Sequence, residues 1–147
     1  MVTRPSIAHT MLNMAKILSE RSTCKRRKVG CILINKHNHI IGSGYNGVCA
    51  GVHHCIDIPC PGAFLKSGEG LGACEAIHAE QNALMQCSNV YDIESIYITT
   101  SPCEHCIKML MNTSAKNIYF TDLYPNALVV KDLWLNSNEY RGWYETP

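Results

Sequence analysis

The chain has 147 residues, a formal net charge of +1, 46% hydrophobic residues and 17% charged ones, which suits one domain with a real core. That near-neutral balance offers no broad field to a polyanion, so long nucleic acid is not an expected partner. No apolar run approaches a membrane span and the first residues lack a secretory pattern; the nine cysteines are therefore expected as metal ligands and thiols in a reducing, cytoplasmic setting.

Arg4-Pro5-Ser6 opens a helix whose apolar face carries Ile7, Met11, Met14, Ala15 and Leu18. His9, beside that stripe, reads as a rim residue. Arg21 to Lys28 is a short basic run with two readings. Charge clusters are usually solvated loops, yet guanidinium groups also suit phosphate geometry. Val29 to Ile34 has the length and continuity of a buried strand, and Ile40-Ile41 begins another. The polar turn Asn35 to His39 joins them as a hairpin.

Gly42-Ser43-Gly44-Tyr45-Asn46-Gly47 matches G-x-G-x-x-G literally. The dinucleotide fingerprint requires a helix directly after it, and the residues that follow have no helical period. The segment reads instead as a ligand loop at a strand end, with Asn46 as its hydrogen-bonding side chain. From about residue 48 to 74 runs a cysteine-rich insert of low periodicity. Excursions of this length are usually functional or held by something. Cys55, Cys60 and Cys74, with Cys24 from the basic run, would close a second, structural zinc site. His54 is the alternative for one position.

The segment from about Glu75 to Cys87 is expected to be a helix with His78 and Glu80 in its first turns. Ile93 to Thr100 reads as a buried strand leading into Ser101-Pro102-Cys103-Glu104-His105-Cys106. Pro102 suits the first position of a helix, with Ser101 as its N-cap. Cys103 and Cys106 then lie one turn apart, at a positive helix end that favours thiolates. A catalytic zinc takes three protein ligands and leaves a fourth position for water. His78, Cys103 and Cys106 make three, and Glu80 is the carboxylate beside them for proton transfer. A lone Cys-x-x-Cys could be a redox pair or half of a structural site. The order H-x-E…P-C-x-x-C is the signature of zinc nucleobase deaminases. Asn117 to Thr121 is another strand, Ala127 to Leu135 a helix with Leu128, Leu133 and Trp134 in the core, and the tail from Asn136 carries no motif. Strands alternating with helices after a hairpin give an α/β fold: a mixed central sheet of about five strands, helices on both faces, a single domain over residues 1–147.

Several segments together resemble the deoxycytidylate (dCMP) deaminases of the cytidine-deaminase-like superfamily, close to the bacterial and phage forms. They are Arg21-Ser22-Thr23-Cys24 leading to Val29-Gly30, Gly44-Tyr45-Asn46-Gly47, His54-Cys55 with Cys60, Cys74 to Ala83, and Ser101-Pro102-Cys103 to Cys106. The likeness runs from about Ser6 to Tyr124. It implies hydrolytic deamination of dCMP to dUMP and ammonia at a zinc ion on His78, Cys103 and Cys106, with Glu80 as proton carrier. Ala79 and Ser101 would orient the base and Asn46 the deoxyribose. Arg26 and Tyr124 would lie near the 5′-phosphate, with Arg27 and Lys28 as competitors for that contact. The resemblance also implies dUMP supply for thymidylate synthesis in a bacterial or phage-infected cytoplasm and a homohexamer. It further implies activation by dCTP with Mg2+ and inhibition by dTTP at a site using Gly42, Gly44, Tyr45 and Gly47. Two alternatives stand beside it: a deaminase of another base (free cytidine, deoxycytidine or tRNA adenosine), and a non-catalytic two-zinc module. Glu80 separates the last from the rest, since a closed structural site has no use for a carboxylate that binds no metal.

Overall fold

The computed structural model describes residues 3–66, 69 and 75–146. Helix α1 (Ile7–Ser19) starts at Ser6, whose hydroxyl accepts the His9 N–H at 3.1 Å, one of the four amides a helix start leaves without an internal partner. Strands β1 (Gly30–Ile34) and β2 (Ile40–Tyr45) form the expected hairpin. Its turn closes because the Asn35 carboxamide oxygen accepts the N–H groups of His37 and His39, while Asn38 takes the left-handed conformation. Two short strands, β3 (Gly47–Val48) and β4 (Ala76–Ile77), pair as a separate antiparallel ribbon. Then follow α2 (Ala79–Gln86), β5 (Ser95–Thr100), α3 (Glu104–Met111), β6 (Asn117–Asp122), α4 (Ala127–Ser137) and β7 (Gly142–Glu145).

The main sheet has five strands in the order β2-β1-β5-β6-β7, as the sequence led one to expect in class and number. The β1 strand is antiparallel to both neighbours, while β5, β6 and β7 run parallel. Side chains alternate across each strand, so the sheet builds two cores. On one face Met11, Leu12 and Ala15 of α1 meet Ile32, Ile34 and Tyr97. On the other, Ala79, Ala83, Ile107, Leu110, Val130 and Trp134 from the remaining helices cover Leu33, Ile96, Ile98, Ile118 and Phe120. Burial on both faces is why β1 and β5 are uninterrupted buried runs.

Two core assignments from helical spacing are corrected. In α1, Ile7 and Met14 are more than a third exposed and Leu12 takes the central place, because the helix meets the sheet along 8, 11, 12, 15 and 18. In α4, Leu128 and Leu133 are exposed and only Val130 and Trp134 are buried, since this helix seats a single i, i+4 strip. The tail without a motif is β7. It is tied by the Trp134 indole N–H donating to the Gly142 carbonyl at 2.9 Å. Arg141 stacks over Trp134 and donates to the Met111 carbonyl.

Glycine fixes how the layers approach. A Cβ on Gly44 would stand 2.6 Å from the Ala83 nitrogen and 2.7 Å from the Ala79 oxygen, and one on Gly42 would meet the Ala83 carbonyl at 2.7 Å. Helix α2 therefore lies backbone against backbone on β2. Gly44→Ala should push α2 outward and, at about 2 kcal/mol for overpacking, lower Tm by about 4–8 °C. A calorimetric scan with no shift would contradict this packing.

Candidate metal centre and active site

Helix α2 begins later than the sequence suggested. Residues Ala76–Ile77 are held as β4 by pairing with Gly47–Val48, so His78 becomes the N-cap in extended conformation and Ala79 the first helical residue. The His78 N–H donates to the Gln81 side chain at 2.8 Å. Glu80 sits in the first turn with only 4% of its surface exposed. The cysteine helix is shifted in the same sense. Its N-cap is Cys103, whose sulfur accepts the Cys106 N–H, and the helix proper starts at Glu104. Ser101 does not cap it because its hydroxyl accepts the Tyr124 N–H at 2.7 Å while its own N–H bonds to the Asp122 carbonyl.

Two helix N-termini thus face one point. The His78 Nδ1 lies 3.5 Å from the Cys103 sulfur and 3.2 Å from the Cys106 sulfur. Ligand distances of about 2.3 Å for sulfur and about 2.05 Å for nitrogen around a tetrahedral zinc require N···S edges of about 3.6 Å. Both edges lie within about 0.4 Å of that value, and among the described residues the trio is the one group of three possible ligands gathered within 4.8 Å.

The electrostatics agree. Hydrogen bonding from Cys106, foremost, holds the Cys103 thiol down at about 4. Its role as donor to Cys103 together with burial pushes the Cys106 thiol up, and the Cys103 hydrogen bond raises His78. Burial lifts the Glu80 carboxyl to about 7, into the range where a proton carrier at neutral pH belongs.

His78, Cys103 and Glu80 open on a cavity whose lining includes Asn46, Ala79, Ser101, Arg26 and Tyr124, all five of the residues expected from sequence to meet a substrate, with Arg27, Val29 and Thr100 beside them. Asn46 bridges the wall: its oxygen accepts the Val29 N–H at 2.8 Å and its nitrogen donates to the Arg27 carbonyl at 2.6 Å. The two arginines differ. Arg26 donates through Nη1 to the Glu69 and Lys66 carbonyls of the insert, so that nitrogen props the insert. Arg27 lies 5.8 Å from the Tyr124 ring centroid, and its Nη1 is buried with no partner among the described residues.

The second cluster is less assembled. Cys55 and Cys60 are buried with their sulfurs 3.7 Å apart, and the Ile56 N–H donates to the Thr23 carbonyl, drawing the insert towards Cys24. Cys24 itself lines the cavity. His54 is exposed, and Cys74 lies outside the described residues. Of the other proposed ligand loop, Gly42 and Gly44 face α2, Gly47 faces the Thr23 hydroxyl, and the Tyr45 carbonyl accepts from Asn82. These glycines serve packing, a role that the ligand-loop reading did not include. The signals missed in the sequence were Val29 and Thr100, ordinary strand residues whose place in the lining only the sheet register reveals.

Comparison with known proteins accords with this geometry. The cytidine and deoxycytidylate deaminase zinc-binding region matches residues 5–122. The deoxycytidylate deaminase of Schizosaccharomyces pombe is 33% identical over 125 residues, covering 82% of this chain and 38% of the yeast protein. That of a Mycobacterium phage is 32% identical over 126 residues, covering 81% of this chain and 97% of its own. The chain therefore spans well under half of the yeast relatives it matches and nearly all of the phage one. Among solved structures, the dCMP deaminase of cyanophage S-TIM5 in complex with dCMP and dUMP superposes with a TM-score of 0.74 at 26% identity, covering 99% of this chain and 100% of that one.

A pH dependence follows from Glu80. Its folded pKa of about 7 lies above the ordinary value of 4.5, so the folded state holds this proton more tightly than the unfolded one. The resulting stability is complete below the unfolded pKa and is lost as pH rises through 7, a change of about 3 kcal/mol. His78, also raised, titrates in the same sense, so the comparison is between variants. In metal-free protein, Glu80→Gln should flatten the decline in urea midpoint between pH 4.5 and 8. An unchanged slope would mean that burial of Glu80 is not its source.

Proposed function

The chain belongs to the cytidine and deoxycytidylate deaminase family, and we propose that it hydrolyses the exocyclic C–N bond of dCMP, giving dUMP and ammonia. The observation that carries this reading is a buried carboxyl, Glu80, beside the His78, Cys103 and Cys106 trio, in a cavity whose lining includes Arg27 and Tyr124. A zinc ion held by the trio would bring the pKa of a water close to neutrality. Glu80 takes one proton from the attacking water and delivers it to N3 of the cytosine as the oxygen bonds to C4. It then takes the second proton from the new C4 hydroxyl and delivers it to the amine, so that the C4–N bond breaks, ammonia departs and the C4 carbonyl forms. Burial raises its carboxyl above the ordinary range, which favours the proton-holding form that both transfers pass through. The backbone at Ala79 and Ser101 orients the base, and Asn46 faces the deoxyribose.

Arg27 is the phosphate residue in this reading. Its buried Nη1 has no partner among the described residues, whereas Arg26 uses its Nη1 on the insert. A guanidinium stacked against Tyr124 presents its edge to an anion as a fork of donors. The cyanophage relative's complex with dCMP and dUMP supports a nucleoside monophosphate as ligand. Family likeness extends the reading to dUMP supply for thymidylate synthesis, a homohexamer, and control by dCTP with Mg2+ and by dTTP.

A second zinc also belongs to it. Two thiolates on one tetrahedral zinc stand about 3.8 Å apart, close to the 3.7 Å between Cys55 and Cys60. Cys74 and either Cys24 or His54 would complete the site and pin the insert against the body.

Two measurements test this. An ammonia-release assay over dCMP, CMP, cytidine, deoxycytidine and dCTP should favour dCMP. Arg27→Ala should raise KM for dCMP by about tenfold or more, with little effect on deoxycytidine. Equal effects on both substrates would remove the phosphate contact. Metal analysis should find two zinc ions per metal-replete chain and one after Cys60→Ser; one in the wild type would rule out the second site.

A further inference from the structure

Behind the catalytic cavity, on the α1 side of the sheet, lies a groove of about 420 Å3, within the range of small-molecule sites. Its floor is Thr99 and Thr121, near the carboxyl ends of the parallel strands β5 and β6, where open α/β sheets present ligand crevices. Lys16 and Asn13 line it from α1, and Lys28 from the basic run. Neither lysine has a carboxylate partner: the described residues hold a single ion pair, Lys116 with Glu94. Asp122 is the one acidic group in the lining.

The two hollows share a wall. Thr100 faces the catalytic cavity and Thr99 the groove, because successive strand residues point to opposite faces. In the same way Arg27 lines the cavity and Lys28 the groove. The Gly30 N–H donates to the Thr99 hydroxyl at 3.2 Å, joining the basic run to the floor between them.

We propose that this groove is a second ligand site, for a small phosphorylated molecule bearing hydroxyl groups. The phosphate lies between Lys16 and Lys28. The hydroxyl-bearing part lies over Thr99 and Thr121, which offer oxygen acceptors, and reaches Asp122. Two cations and one carboxylate match a monophosphate with a hydroxylated body better than a bare polyanion. The site is separate from the phosphate contact assigned to Arg27 and stands whether or not dCMP is the substrate.

Ribose 5-phosphate, which has the phosphate and hydroxyls but no base, is the probe. Titrated into the zinc-loaded full chain and followed by amide NMR, it should shift Asn13, Thr99 and Thr121. The double variant Lys16→Glu/Lys28→Glu should weaken binding by about tenfold or more; both side chains are exposed, so the fold should be retained, which the rest of the spectrum reports. Arg27→Ala should leave those shifts and their midpoint unchanged. No shift in the groove, a midpoint indifferent to the two lysines, or an equal loss in Arg27→Ala would each overturn the proposal. Failure of dCMP turnover in the separate ammonia assay would bear on the catalytic reading alone.

Discussion

One imidazole nitrogen and two sulfurs, brought within a zinc ion's reach of each other, are the constraint to which the rest of this structure answers. His78 and Cys103 are helix N-caps, where extended backbone frees the side chain from the helical lattice, and Cys106 lies in the first turn of α3, where unpaired amides favour negative charge. Cys103 serves as its own helix cap. His78 caps the other helix while its ring faces the sulfurs. A carboxyl two residues beyond a capping histidine falls in the first helical turn, and Glu80 is buried there within reach of the same point. The placement that keeps Glu80 beside the trio also deprives it of solvent and raises its pKa.

The sheet delivers the two helices to that meeting place by different means. Helix α3 follows β5 directly, and the strand's last residue, Thr100, already lines the cavity. Helix α2 has no strand leading into it from the main sheet. It is placed by contact, through the bare glycine surface of β2, and by the small β3–β4 ribbon that pairs Gly47 with Ile77. That ribbon brings Asn46 beside His78 although 31 intervening residues separate them in the chain. Asn46 in turn clamps residues 27 to 29, so the basic wall of the cavity is anchored to the same ribbon that sets the histidine.

Much of this is legible in the amino-acid sequence, and for physical reasons. The gathering of His78, Cys103 and Cys106 is legible because spacing constrains chemistry: His-x-Glu and Pro-Cys-x-x-Cys leave few alternatives once both are present. Strands β1 and β5 are legible because a strand covered on both faces must be apolar throughout. Less so are the helix starts, which moved by up to four residues, because β4 pairing and the Tyr124 bond to Ser101 are contacts between distant segments. Strand β7 was hidden for a similar reason, since parallel pairing with β6 leaves a short edge strand with no local pattern of its own. Arg26 and Arg27 are neighbours in an irregular stretch, and no periodicity says which of them enters a cavity and which holds the insert. The glycines of β2 look like a ligand loop in one dimension; only the third shows a helix lying on them.

The account rests on Glu80 carrying protons beside a metal it does not bind. The direct measurement is ammonia release from dCMP by Glu80→Gln, with zinc content determined on the same sample. Retained zinc with turnover reduced by about 10²- to 10⁴-fold is expected. Turnover comparable to the parent at full zinc occupancy would contradict it.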